Sequence, residues 1–238
     1  MGKAALTRSL TLLCPLVGAC LLLGGSCNLK RTPSPEEERT LPIVENVVVV
    51  GFRAAISPGG EPEVVRDPLT GAIFSAEAVP NNVTQEMNES LFEMLAKEKR
   101  YQLISPNQAR GVLAGIAGLE SDMGAGPLEI LRKVGKRFGA DAVAAGYIYR
   151  WREREGGDYA VNRPASVAFD LHLVRPADGA ILWKGRFDKT QRSLSENIFD
   201  LGTFIQGGGV WMTAQKLAML GLGKLVAEMS AATRGGGE

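Results

Sequence analysis

Hydrophobic and polar positions change period several times along this chain, and each change marks an element. Leu41 to Phe52, LPIVENVVVVGF, carries an unbroken β-branched run, the pattern of a buried central strand. Ser57 to Pro80 has no period. It is rich in glycine, proline and charge, with Asp67-Pro68-Leu69-Thr70-Gly71 as a turn, and it reads as a long loop. Loops beyond about 12–15 residues in a compact domain are often functional, which makes this one a candidate partner-facing surface. From Asn81-Asn82, read as the N-cap, the apolar positions Val83, Met87, Leu91, Met94 and Leu95 recur at helical spacing. Tyr101 to Ser105 is a short strand, and Pro106 opens a second helix that runs to Leu119. After the break at Gly124 to Gly126, a third helix turns Leu128, Leu131, Val134 and Phe138 inward and stops at Gly139.

Asp141 to Arg154 begins apolar and then alternates, with Tyr147, Tyr149 and Trp151 on one side and Ile148, Arg150 and Arg152 on the other. Two more strands form a meander with it: Ala165 to Val174, whose Val167, Phe169, Leu171 and Leu173 share a face, and Ala180 to Phe187. Pro176-Ala177-Asp178-Gly179 is the turn between them. A last helix runs from about Thr213 to Met229. The expected fold class is α/β: a single two-layer or three-layer sandwich on one mixed sheet of about five strands, with a C-terminal meander and flanking helices. In the aromatic row, Tyr147 belongs under a helix. Trp151, with Arg150 and Arg152, lies where the strand outruns its cover. These three residues are the candidate interface, because aromatic side chains beside arginine are enriched at protein contacts.

The first thirty residues follow another rule. Lys3 and Arg8 precede an apolar stretch, Ser9 to Gly25, that shows no polar face, and small residues then lead to Cys27. That is the layout of an export signal rather than of a surface helix. Leu23, Gly24, Gly25 and Ser26 before Cys27 resemble the bacterial lipobox, which implies a thiol acylated with a palmitate-type chain and a mature protein that begins at Cys27. Cys20, preceded by Leu16, Val17, Gly18 and Ala19, fits the same pattern and is the alternative. Cleavage there would expose LLLGGS, whereas cleavage before Cys27 leaves the polar, proline-bearing tether NLKRTPSPEEERTLP. The expected organisation is a lipoprotein signal peptide at 1–26, a flexible tether at 27–40, an α/β domain at 41–232 and a disordered tail at 233–238. An ordinary cleaved signal and an uncleaved anchor are the other readings; Pro15 and Gly24-Gly25 count against a permanent helix across the ~30 Å apolar layer.

Composition narrows the chemistry. Cys14, Cys20 and Cys27 all lie in the signal region, so a processed chain has no disulfide framework. A single histidine, His172, rules out a Cys/His zinc site and a Cys–His nucleophilic pair. Beyond residue 26 the chain has 212 residues, with 25 basic against 26 acidic side chains and a formal charge of −1. It therefore presents no electrostatic footprint for nucleic acid. His172, next but one to Asp170 on an alternating strand, reads as a hydrogen-bonded surface residue. Glu45, Asp141, Asp170 and Asp188 lack a spacing that pairs two carboxylates. Gly207-Gly208-Gly209 lacks the Lys-Ser/Thr of a phosphate loop, and the acceptor triplets at Asn82 and Asn88 fall on a helix. No catalytic, cofactor-binding or metal residue is expected, and the chain does not read as an enzyme.

Taken in order, VVVVGF, the helix ending in KEKRYQLIS, FGADAVAAGYI and the closing ILWKGRF resemble the periplasmic lipoprotein fold group. That group includes the curli-secretion lipoprotein, the lipoprotein activators of penicillin-binding proteins and the amino-terminal domain of the Tol translocation protein. The resemblance covers about Leu41 to Gln191. It implies a lipid-anchored envelope protein facing the periplasm, on the outer membrane because Asn28 follows Cys27. Its role would be that of a non-catalytic interaction or regulatory module with a protein partner in the envelope or with copies of itself. The alternative is an oligomeric secretion channel of the curli-exporter type. Such a pore needs amphipathic strands of about 9–11 residues, and neither 57–80 nor 193–209 alternates over that length. A small-ligand or hydrolytic enzyme trails both.

Overall fold

The computed structural model describes residues 43–122, 124–157, 161–191 and 211–234. The chain divides into two units, Met1–Arg39 and Thr40–Glu238, and every described residue belongs to the second. Cys20, Cys27, the tether and the 193–209 segment lie outside the described residues.

The principal sheet has five strands in the order β4-β1-β5-β8-β9. Its members are β1 (Asn46–Ala54), β4 (Gln102–Ile104), β5 (Ala142–Arg152), β8 (Ser166–Val174) and β9 (Ile181–Thr190). β1 lies parallel to both β4 and β5, while β5, β8 and β9 form the antiparallel meander. The sheet is therefore mixed, as its sequence pattern implies. Four helices are described: α1 (Asn81–Lys97), α2 (Pro106–Asp122), α3 (Pro127–Phe138) and α4 (Ala214–Ala232). Two small antiparallel ribbons complete the set: β2 (Glu63–Arg66) with β3 (Ile73–Ala76), and β6 (Glu155–Gly156) with β7 (Val161–Arg163).

Local chemistry accounts for most boundaries. α3 starts with Pro127, and its C-cap Gly139 adopts φ +62°, where the N–H groups of Gly139 and Ala140 satisfy the carbonyls of Lys136 and Gly135. Thr213 caps α4 by accepting from the Lys216 N–H at 3.2 Å. The expected Asn81-Asn82 cap of α1 does not form: Pro80 holds the N-cap position, and Asn82 bonds Glu86 along the helix at 2.9 Å. Thr233, read from the sequence as part of a frayed tail, is buried, and its Oγ1 lies 2.8 Å from Tyr101 Oη. Arg100 fastens the same corner by donating to the Ser230 carbonyl at 2.8 Å.

The layers follow from which face of each strand is apolar. On one side, Val83, Met87, Leu91 and Leu95 of α1 and Leu217, Leu222, Leu225 and Met229 of α4 pack on Val49, Ile148, Phe169 and Leu171. On the other side, Leu131 and Val134 of α3 and Ala109 of α2 cover Val48, Val143, Ala145 and Val174. Further along that second side no helix among the described residues takes part. Phe74 and Ala76 of β3 instead cover Tyr149 and Ala168. The 57–80 segment, read from its composition as a long loop, thus contains a hairpin laid over the meander, and the sandwich has three layers.

A β-bulge decides where the β5 aromatics go. Ile148 lies opposite Phe169 and Arg150 opposite Ala168, so Tyr149 is an extra residue in the ladder. An extra residue reverses the faces beyond it. Tyr147 and Tyr149 pack with the hairpin, whereas Trp151, opposite Val167, packs against the α1/α4 core. The expected single row of Tyr147, Tyr149 and Trp151 is therefore split across the sheet.

At Gly146, opposite Leu171 in the ladder, an added Cβ would collide with the Asp170 carbonyl oxygen and the Phe52 ring. Gly146→Ala should lower the urea midpoint, by about 1–3 kcal/mol of stability. Gly111→Ala on α2, where nothing lies within 4 Å, should leave stability unchanged or slightly raise it.

Candidate functional site

β8 is buried at all nine of its positions. Its odd-numbered residues face α1 and α4, and Ser166, Ala168, Asp170, His172 and Val174 face the other way. Val174 is covered by α3 and Ala168 by the hairpin. Asp170 and His172 fall between these covers. The hairpin turn supplies what meets them there, Asp67, and the three side chains are only 1–3% exposed.

Asp67 is held by its own turn. Its carboxylate accepts from the Leu69 N–H at 3.1 Å, the Thr70 N–H at 2.9 Å and the Thr70 hydroxyl, while Gly71 N–H closes onto the Asp67 carbonyl at 2.8 Å. The imidazole of His172 lies between two acids: Nε2 is 3.4 Å from Asp67 Oδ2, and Nδ1 is 3.6 Å from Asp170 Oδ1. Asp170 also accepts from Tyr149 Oη at 2.7 Å and from the Tyr147 N–H at 3.0 Å. The Tyr149 ring stacks on Phe74 of the hairpin with centroids 3.6 Å apart, and Arg186 covers the far side of Phe74 at 3.9 Å.

The two acids of the cluster titrate in opposite directions. Burial raises Asp170, and although His172 and the Tyr149 hydroxyl pull against it, its carboxyl is pushed up to about 6. Asp67 is opposed by burial too, but bonds from His172, Thr70 and Leu69 prevail and hold it well below the usual carboxylate range. Burial, reinforced by the adjacent Asp170 charge, pushes the Tyr149 phenol far above its ordinary value. Asp67, Asp170 and His172 form the group of three acid or imidazole side chains, among the described residues, whose donor atoms could hold a metal ion. What the cluster can hold is a proton or a small cation. It is too enclosed to reach a substrate.

The site thus differs from its sequence reading. His172 is not a surface residue, and Asp170 does pair with a second carboxylate, Asp67, which lies in a segment read only as a turn. Asp141 instead holds the start of β1, accepting from the N–H groups of Glu45 at 3.1 Å and Asn46 at 2.8 Å. Asp188 receives Arg150 and Arg186. Of the candidate interface residues, Arg150 bonds Asp188 and Ser166, Arg152 pairs with Glu77, and Trp151 is half-buried on the core. A separate small cleft of about 50 Å³ is lined by Val50, Arg53, Ile130 and Tyr147, the last of which also donates its N–H to Asp170.

No family model matches the chain, and no curated protein matches its sequence. Among solved structures it is similar to lipoprotein GNA1162 from Neisseria meningitidis, with 19% identity, a TM-score of 0.39, and 69% of this chain and 94% of that one covered. It is also similar to the LpoB C-terminal domain from Escherichia coli, with 15% identity, a TM-score of 0.33 and coverage of 62% and 83%. A third is the PelC dodecamer from Paraburkholderia phytofirmans, with 14% identity, a TM-score of 0.35 and coverage of 77% and 85%. These likenesses are distant, and they include a bacterial lipoprotein.

The Asp170 shift gives the cluster a pH signature. A carboxyl raised to about 6 from an ordinary 3.8 binds a proton more tightly in the folded than in the unfolded chain. Its contribution is present below that ordinary value and is lost as pH rises through about 6. Asp67, shifted the other way, loses its contribution only in stronger acid. In chelator-containing buffer, where protons alone titrate, the wild-type chain should lose stability between about pH 4 and 6 relative to Asp170→Asn, on the order of 2–3 kcal/mol. Parallel unfolding curves for the two proteins across that window would disprove it.

Proposed function

We propose that this chain is a membrane-anchored lipoprotein of the bacterial envelope, whose α/β domain, residues 41–232, acts in the periplasm as a non-catalytic interaction or regulatory module. The observation that carries the reading is the enclosure of Asp67, Asp170 and His172. The most reactive grouping among the described residues is sealed at 1–3% exposure, an arrangement that suits holding a structure together and not turning over a substrate. Support for the anchor comes from the basic, apolar and small-residue sequence that ends at Cys27, with Cys20 as the alternative. Among the described residues no helix is long and apolar enough to cross a membrane. Acyl chains contribute about 0.8 kcal/mol per buried CH₂, so more than one chain on the mature N-terminus gives stable attachment. Asn28 after the acylated cysteine favours the outer membrane.

The contact surface we propose includes the outer side of the hairpin. Val64 and Ile73 are 73% and 53% exposed there, and Glu77 just beyond β3 pairs with Arg152, two positions from Arg150 on β5, while Trp151 lies on the opposite face. Isolated exposed apolar residues are ordinary, but two on one short ribbon beside two of the sequence-derived candidates make a patch that can be tested.

Cys27→Ser should abolish incorporation of labelled palmitate and leave either a soluble domain or an unprocessed precursor. Label that persists there and disappears only in Cys20→Ser would move the anchor upstream. A photoreactive residue in place of Val64 should crosslink in cells to a different envelope protein, identified by mass spectrometry. If copies of this same chain are the only product, a self-assembled structure replaces the adaptor reading.

A further inference from the structure

We propose that Asp67, Asp170 and His172 bind one divalent cation of the first transition row, with zinc as its representative, and that the ion fastens hairpin β2–β3 to the sheet. The inference holds whether or not the chain is lipid-anchored, because it rests on the interior of the domain alone.

The donor set is the first reason. One oxygen from each carboxylate and one imidazole nitrogen lie within 4.8 Å of one another. Metal–ligand bonds of about 2.0–2.2 Å place two ligands of one ion roughly 3.3–4 Å apart. One ion takes only one imidazole nitrogen, and Nδ1 lies 3.6 Å from Asp170 Oδ1, inside that range and beyond the roughly 2.7–3.2 Å of an N–H···O bond. Two carboxylates and an imidazole suit zinc and its neighbours better than magnesium or calcium, which prefer oxygen alone.

The second reason is independent of the acids. His172 Nδ1 is fully enclosed and has no hydrogen-bond partner, on a side chain that is 3% exposed. Buried imidazole nitrogens normally find a partner, and an unpartnered nitrogen facing the Asp170 carboxylate is a place for a metal ion. Charge agrees with this. Two ionised carboxylates enclosed together carry −2, which a divalent ion neutralises.

Each acid also has the outer support typical of a metal ligand. Asp170 is oriented by Tyr149 Oη and the Tyr147 N–H, and Asp67 by the Leu69 and Thr70 N–H groups and the Thr70 hydroxyl. The ligands come from two elements. Asp170 and His172 are two apart on β8, and Asp67 is on the hairpin turn, so the ion would close the hairpin over the site as it binds.

The full-length chain, purified in detergent, stripped with EDTA and titrated with zinc chloride, tests this directly. His172 is the only histidine, so its ring signals in the ¹⁵N-resolved NMR spectrum need no assignment. One zinc should remain per chain after dialysis, the His172 ring resonances should shift on saturation, and the thermal midpoint should rise. Asp67→Asn should weaken binding about tenfold or more. His172 resonances that respond to pH and not to zinc would show that the cluster holds a proton only, and zinc retained without any change in those resonances would place it elsewhere. Either result overturns the proposal on the wild-type chain, even if the variant fails to fold.

Discussion

A strand with no side left for water is the constraint on which the domain depends. Every position of β8 is buried, yet Ser166, Asp170 and His172 are polar. Polar groups taken from water must find partners inside, or the cost is several times that of a lost surface bond. Ser166 meets Arg150 Nε at 2.7 Å and Thr190 Oγ1 at 2.6 Å. Asp170 takes the Tyr149 hydroxyl and a backbone N–H from β5. His172 needs something from outside the sheet, and a helix laid there by apolar contact alone would leave it stranded. The cover has to carry its own polar group. The β2–β3 hairpin does so with Asp67, whose carboxylate is already oriented by its turn before it meets the imidazole.

The bulge at Tyr149 makes this cover compatible with the helical layer on the opposite face. Up to Ile148, β5 contributes to the α1/α4 core with the alternation expected of it. Alternation turns Tyr149, like Tyr147, to the hairpin side, where one side chain both stacks on Phe74 and donates to Asp170. The extra residue then returns Trp151, two positions on, to the helical side against Val167. A regular strand would have to choose between these contacts. The bulge allows one strand to serve two layers.

The parts of the fold legible in the sequence are those governed by long apolar periods. The Val47–Val49 run, the four-residue repeat Val83–Met87–Leu91–Leu95 and the Gly139 stop each appear in the structure in the role their pattern implies. The site was illegible for a different reason. Alternation along Val167–Val174 correctly separates two faces, but it does not say what covers the polar one, and an antiparallel strand with polar residues on one face usually gives that face to water. The cover itself has strands of only four residues, Glu63–Arg66 and Ile73–Ala76, too short for a period to stand out among the glycines and prolines around them. Asp67 is 103 positions before Asp170 in the chain, and only tertiary structure brings the two together. The same holds for the bulge, since nothing in AAGYIYRWR marks which residue is the extra one.

Two kinds of cohesion therefore coexist in one domain. The helices are held mainly by apolar area, which carries no titrating charge. The hairpin adds to its small apolar cluster on Tyr149 and Ala168 the Arg186–Phe74 contact, the Arg152–Glu77 pair and the Asp67–His172–Asp170 cluster, and its outer side leaves Val64 and Ile73 in solvent. Short ribbons with few buried apolar contacts are the first units to open in a folded protein. Because Asp170 is pushed up to about 6, the charge inside the hairpin's main polar contact changes within a pH range that leaves the helical core unaffected. The sheet and its helices supply a fixed frame. Attachment of the exposed ribbon depends, beyond its apolar contacts, on the charge enclosed beneath it.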